Sequence, residues 1–135
     1  MRLINEIIIH CSDTPEGRDT SLEEIRSWHI ARGFSDIGYH YVIHIDGSVG
    51  VGRSLDKIGA HCYGHNRNSV GICYIGGRTK DNKSIKDTRT LEQIESLKSL
   101  VNSLKTCLPT INKVSGHYEY STKTCPNFDV KKEFN

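Results

Sequence analysis

Three consecutive isoleucines, Ile7-Ile8-Ile9, constrain the fold of this chain more than any other stretch. A strand that faces water on one side alternates apolar and polar residues. An unbroken apolar run needs burial on both faces, as in the parallel part of an α/β sheet. The run belongs to a strand predicted over 4–10, which ends at His10. That is the carboxyl end, where open α/β sheets present their active-site groups. The residues that follow, Cys11 to Gly17, form a loop by their turn chemistry.

The remaining elements follow from caps and periodicity. Ser21 and Glu24 make a capping box, and Gly33 is a C-terminal cap for the helix between them. Leu22, Ile25, Trp28 and His29 share its helical spacing, and His29 reads as a packed side chain rather than a ligand. A strand is predicted over 38–45, with Tyr39, Tyr41, Ile43 and Ile45 on one face. His40, Val42 and His44 share the other face, the two histidines at exposed sheet positions. From pattern alone Tyr39 is equally a core aromatic or a group at a sheet end. Asp46-Gly47 is a hairpin turn, with a return strand over 48–52. Residues 59–66 form a polar, Gly-punctuated loop in which His61, Cys62 and His65 match no strong zinc spacing. Another apolar strand covers 69–75, and 76–90 is a solvated surface loop. Thr90 and Gln93 cap a long helix carrying Leu91, Ile94, Leu97, Val101, Leu104 and Leu108, stopped by Pro109. A strand over 111–115 delivers Gly116-His117, and a brief helix follows over 130–134. The order β-α-β-β-β-α-β implies one α/β domain over 1–135, with a central mixed β-sheet flanked by α-helices.

Composition narrows the function classes. A chain of 135 residues suits one domain, and at this size folding buries roughly two-thirds of the unfolded surface. A net charge of +2 is too small to argue for nucleic acid, since a basic DNA-binder usually shows a clustered excess. Five cysteines with no CxxC pair argue against a disulfide framework; Cys11, Cys73 and Cys107 read as small apolar packers. No secretory signal and no membrane-spanning stretch is visible, so synthesis is expected in a cytoplasm, without membrane insertion.

The chemistry gathers at 116–128, Gly-His-Tyr-Glu-Tyr-Ser-Thr-Lys-Thr-Cys-Pro-Asn-Phe. His117 and Cys125 offer zinc an imidazole nitrogen and a thiolate sulfur. Pro126 keeps Cys125 out of a helix, so a loop must fold back to bring the two together. Two ligands do not hold zinc, and His10 is the best candidate for a third. Two histidines and one cysteine leave the fourth position open, as in catalytic sites.

These pieces resemble a known family. Ile9-His10-Cys11-Ser12, Ile25-Arg26-Ser27-Trp28-His29, Gly38-Tyr39-His40-Tyr41, Asp46-Gly47, Gly52-Arg53, Gly59-Ala60-His61, Asn68-Ser69-Val70-Gly71-Ile72, Gly76-Gly77 and Lys123-Thr124-Cys125-Pro126 occur in order along nearly the whole chain. The chain is similar to the zinc-dependent N-acetylmuramoyl-L-alanine amidases related to peptidoglycan recognition proteins, in particular the small bacteriophage lysozymes of amidase type. The resemblance implies one zinc held by His10, His117 and Cys125, with Tyr39 and Lys123 as the catalytic pair. It suggests that His61 lines the substrate groove, where Asn66 and Asn68 suit a glycopeptide. Glu119 is an alternative base. The expected reaction is hydrolysis of the amide between the lactyl group of N-acetylmuramic acid and L-alanine. The expected partner is bacterial peptidoglycan, met by a monomer at the cell wall or periplasm, with no nucleic acid. The alternatives are a peptidoglycan-binding module that does not cut, and a protein that contacts a phage-type RNA polymerase. The complete ligand set with Lys123 argues against the first; near-neutral charge and a start close to the first strand argue against the second.

Overall fold

The structure is a computed structural model that describes residues 1–135. Its elements, in chain order, are β1 (Glu6–Cys11), β2 (Thr14–Pro15), α1 (Leu22–Ala31), β3 (Tyr41–Ile43), β4 (Val49–Val51), β5 (Ser69–Tyr74), β6 (Gly77–Arg78), α2 (Leu91–Cys107), β7 (Lys113–Gly116) and α3 (Val130–Phe134). Five strands form the main sheet in the order β4-β3-β5-β1-β7. β1 pairs in parallel with β5 and β7, and β3 in parallel with β5, while the β3–β4 hairpin is antiparallel. The isoleucine run therefore occupies an interior strand, flanked on both sides, and all three isoleucines are fully buried.

Side chains alternate across the sheet. Ile7 and Ile9 of β1, Val70, Ile72 and Tyr74 of β5, and Val114 of β7 join Leu97, Val101 and Leu104 of α2 and Val130 of α3 in one apolar cluster. Burying each of those α2 side chains contributes on the order of 1.5–3 kcal/mol. A smaller cluster, Leu22 and Ile25 of α1 with Ile37, Val42 and Ile75, covers part of the opposite face. His10 shares that second face.

Both capping boxes form, Ser21 with Glu24 and Thr90 with Gln93. Gln93 is wholly buried, and its Nε2 donates to the carbonyls of Ile43 and Ile75. One side chain thus closes the helix start and ties it to the ends of β3 and β5. Gly33 sits just past α1 with φ 98°, the left-handed geometry that glycine tolerates best. Gly47 turns the hairpin at φ 87°, while the Asp46 carboxylate accepts from the Ser48 amide.

Four expectations need correction. The strand over 38–45 shrinks to three residues, so its alternation does not extend: Tyr41 and Ile43 pack on the α2 side, but Tyr39 and Ile45 on the α1 side. His40 is not an exposed sheet position but is completely buried, with Nδ1 accepting the Gly71 amide at 3.0 Å. Cys107 is exposed at the end of α2 rather than packed. The 76–90 segment is more than a solvated loop, since β6 pairs in parallel with β2. Near its end Thr88 is buried, and the Arg89 guanidinium lies 3.4 Å from the Phe128 ring centre with ion pairs to Asp87 and Glu133.

Candidate active site

The parallel register of β1 and β7 builds the site. Ile9 pairs with Gly116, so the next residues along, His10 and His117, emerge side by side. Their ring centres are 4.6 Å apart. Cys125 arrives from the loop that follows a single 3-10 turn, His117–Glu119. Three bonds hold that loop: the Tyr118 amide donates to the Cys125 carbonyl at 2.9 Å, the Tyr74 hydroxyl to the Pro126 carbonyl at 2.8 Å, and Asn127 Nδ2 to the Gly77 carbonyl at 2.8 Å. The donor atoms of His10, His117 and Cys125 all lie within 4.8 Å of one another. No other group of three such side chains comes together in the chain. In particular His61, Cys62 and His65 do not gather: the His65 ring stacks on Tyr120 at 3.7 Å, and Cys62 is buried.

The three donors face a cavity of about 630 Å³. Tyr39 and Lys123 also line it, with the Tyr39 ring centre 5.1 Å from that of His10. Trp28 and Ile85 add apolar walls, and Arg32 and Arg78 add cationic ones. Sequence reasoning did not single out these four. Trp28 was legible as a member of the α1 stripe, yet it stands at the exposed edge of that stripe, 39% accessible. Arg78 follows the Gly76-Gly77 pair, whose positive φ values turn the chain back towards β1. There its guanidinium meets Asp13 at 3.4 Å.

Burial sets the protonation states. It holds His10 well below the usual imidazole range, with neighbouring His61, His117 and Lys123 acting in the same direction. His117 is lowered by burial and then by Lys123. Both rings are therefore neutral at pH 7 and offer lone pairs. Hydrogen bonding to the Cys11 thiol and burial push the Cys125 thiol up. The Cys11 amide donates to Cys125 Sγ at 3.1 Å, which favours the thiolate, and a coordinated cation would favour it further. Burial, with the Cys73, Cys125 and Cys11 thiols, raises Tyr39 well above the usual phenol range, so its hydroxyl stays protonated as a donor.

The expected substrate residues lie elsewhere. His61 stands behind His10, with His61 Nδ1 2.8 Å from His10 Nε2, and does not reach the cavity wall. Asn66 closes its own loop, Oδ1 accepting the His61 and Cys62 amides at 2.9 Å each. Asn68 Nδ2 donates to the Leu3 carbonyl at 2.9 Å. Glu119 is occupied as well: Oε2 accepts the Gly116 amide at 3.0 Å and Oε1 pairs with Lys131 at 3.7 Å. His29 packs as expected, its Nδ1 accepting the Gly38 amide at 2.8 Å.

A mixed sheet thus delivers two imidazoles and a thiol to the floor of an open cleft, a donor set that could hold one metal ion. The family described as N-acetylmuramoyl-L-alanine amidase matches residues 1–128, and this chain belongs to it. The endolysin of Klebsiella phage KP32 is 39% identical over 129 residues, 95% of this chain and 83% of that protein. The solved N-acetylmuramoyl-L-alanine amidase LysC from Clostridium intestinale URNW superposes with a TM-score of 0.82 at 26% identity, over 98% of this chain and 82% of that one. The solved bumblebee PGRP-SA superposes with a TM-score of 0.79 at 28% identity, over 98% of this chain and 81% of that one.

Proposed function

We propose that His10, His117 and Cys125 hold one zinc ion, and that with Tyr39 and Lys123 they make this peptidoglycan amidase a zinc hydrolase. The bond cut joins the lactyl group of N-acetylmuramic acid to L-alanine of the stem peptide. The observation that carries the reading is the convergence of the three donors within 4.8 Å at a cavity that Tyr39 and Lys123 also line.

The donor set fits zinc: two neutral imidazoles and a thiolate suit a borderline-soft cation. The ion supplies Lewis acidity, which activates water at neutral pH and polarises a carbonyl. With one thiolate among the ligands the seat keeps a net charge of about +1 when loaded, less electrophilic than one with three histidines. A second cation then matters. Lys123 is exposed on the cavity wall two residues before Cys125, where its ammonium can stabilise negative charge developing on the amide oxygen. Tyr39, held protonated, donates a hydrogen bond and positions the reacting groups rather than abstracting a proton. Trp28 and Ile85 offer apolar surface to the glycopeptide, and Arg32 and Arg78 offer charge to its acidic groups. Activity at the cell wall follows from the substrate. No helix of the chain is long and apolar enough to cross a membrane.

The test is digestion of purified peptidoglycan with and without a chelator, followed by mass analysis of the fragments. New L-alanine amino termini, lost on chelation and restored by zinc, are expected. Binding to the wall without new termini would overturn the hydrolytic assignment. Undiminished cleavage after complete metal removal would overturn the zinc assignment alone.

A further inference from the structure

His61 makes no wall of the cavity, yet the fold goes to some length to hold it. Its ring lies in a slot between two glycines: a Cβ at Gly71 would meet the ring at 2.6 Å, and one at Gly59 at 2.8 Å. Asn66 clamps the backbone amides of His61 and Cys62. The ring's two nitrogens are both engaged, Nδ1 with His10 Nε2 at 2.8 Å and Nε2 with Ser69 Oγ at 3.2 Å.

Proton counting along this chain has one outcome. The His65 carbonyl can only accept, and Ser69 Oγ donates to it at 2.7 Å. A serine hydroxyl carries one proton, so towards His61 it can only accept. His61 therefore bears its proton on Nε2 and presents a lone pair at Nδ1. His10 must then donate from Nε2, and its own lone pair is left at Nδ1. We infer that His61, oriented by Ser69, is the positioning residue that locks His10 in the Nε2–H tautomer and so selects Nδ1 as its metal-binding atom. A histidine ligand commonly donates its other ring N–H to a carboxylate or a backbone carbonyl, which fixes the ring and raises its basicity. Here a second imidazole does that work, relayed through a serine to a peptide carbonyl.

The inference rests on His10 being a metal ligand, and two measurements separate it from that reading. The first uses the metal-free wild-type protein, recording long-range proton–nitrogen correlations of the histidine rings. Both His10 and His61 are expected as Nε2–H tautomers. His10 protonated on Nδ1, or averaging between the two forms, overturns the inference whether or not the protein binds zinc. The second is zinc affinity by chelator competition. His61→Ala is expected to bind about 10–100-fold more weakly. His61→Asn, whose Oδ1 can replace the Nδ1 acceptor, is expected to recover most of that loss. Ser69→Ala, which leaves His61 free to change tautomer, is expected to fall between wild type and His61→Ala. Equal losses in the Ala and Asn variants would make His61 a packing residue and overturn the inference. If His61→Ala fails to fold, Ser69→Ala and the wild-type spectrum decide the matter. Failure of the wild type itself to bind zinc would remove the ligand assignment and leave the tautomer result standing.

Discussion

Neighbouring residues of β1 live in opposite environments. Ile9 belongs to a cluster of fourteen buried side chains drawn from the sheet, the helices α2 and α3 and the segments beside them. His10, one residue on, faces three rings, those of Tyr39, His61 and His117. The first environment is non-directional, so removing one side chain costs stability in proportion to the volume lost. The second depends on a few directional contacts, so removing one group costs chemistry and leaves most of the burial intact. If that division is right, variants on the two faces should fail in different assays.

The largest effect is expected from Cys125→Ser. It removes the only sulfur donor of the cluster while keeping a side chain of similar size. Cleavage should drop to background, with bound zinc sharply reduced and circular dichroism unchanged. Activity surviving with full zinc content would mean that another group ligates. Lys123→Ala comes next. The side chain is exposed, so the fold should hold, and loss of one group that stabilises developing negative charge lowers turnover by about 10²–10³-fold. Zinc affinity should stay near wild type; a parallel loss of metal would make Lys123 structural.

Leu97→Ala makes the contrast from the other side. Leu97 is fully buried in α2, within the large cluster and away from the cavity lining. Truncation there should cost about 2–5 kcal/mol in urea unfolding, with activity per folded molecule unchanged. A proportional fall in turnover would show that the apolar face does more than support the sheet.

How much of this was legible follows the same division. Ile7, Ile8 and Ile9 announced an interior strand because apolar burial is written in composition and period. The capping boxes at Ser21 and Thr90 were equally readable, because their partners lie three residues apart. The three donors were reachable because His, His and Cys are chemically distinctive and because His10 lies near the end of one strand and His117 directly follows another. What escaped depended on contacts distant in sequence. Nothing local to His40 states that its ring accepts the Gly71 amide, thirty-one positions away. His61 was placed in a groove by resemblance, yet it turns behind His10, fifty-one positions distant, because Gly59 and Gly71 leave room for the ring. Glycine at such a position is silent until the residue it admits is known.

Acidification tests the histidine-rich side directly. Burial lowers the His40 pKa from 6.5 to about 4. Between those values the unfolded chain binds a proton that the folded chain refuses, so stability falls as pH falls from 6.5 towards 4 and is unaffected by this group above that window. The full shift corresponds to on the order of 3 kcal/mol. Urea midpoints at pH 7.5 and pH 5 should differ more in the wild type than in His40→Asn, which keeps an acceptor for the Gly71 amide but has no proton to bind. An identical pH dependence in the two proteins would move the effect to other groups.

The smallest expected effect lies furthest from the chemistry. Thr90 Oγ1 accepts the Gln93 amide at 3.1 Å and donates to the Ile45 carbonyl at 2.7 Å, so one hydroxyl both caps α2 and ties it to the hairpin. Thr90→Ala removes both bonds and should cost about 1 kcal/mol, in the usual range for a lost helix cap. Thr90→Ser keeps the hydroxyl and should recover most of the loss. Neither variant should alter zinc affinity or turnover, since Gln93 still bridges the Ile43 and Ile75 carbonyls and holds the helix start against the sheet. A change in turnover here would mean that strain on the α2 face passes through β3 and β5 to the residues around His10. The two faces would then be mechanically coupled, and the separation drawn between Ile9 and His10 would hold for packing but not for catalysis.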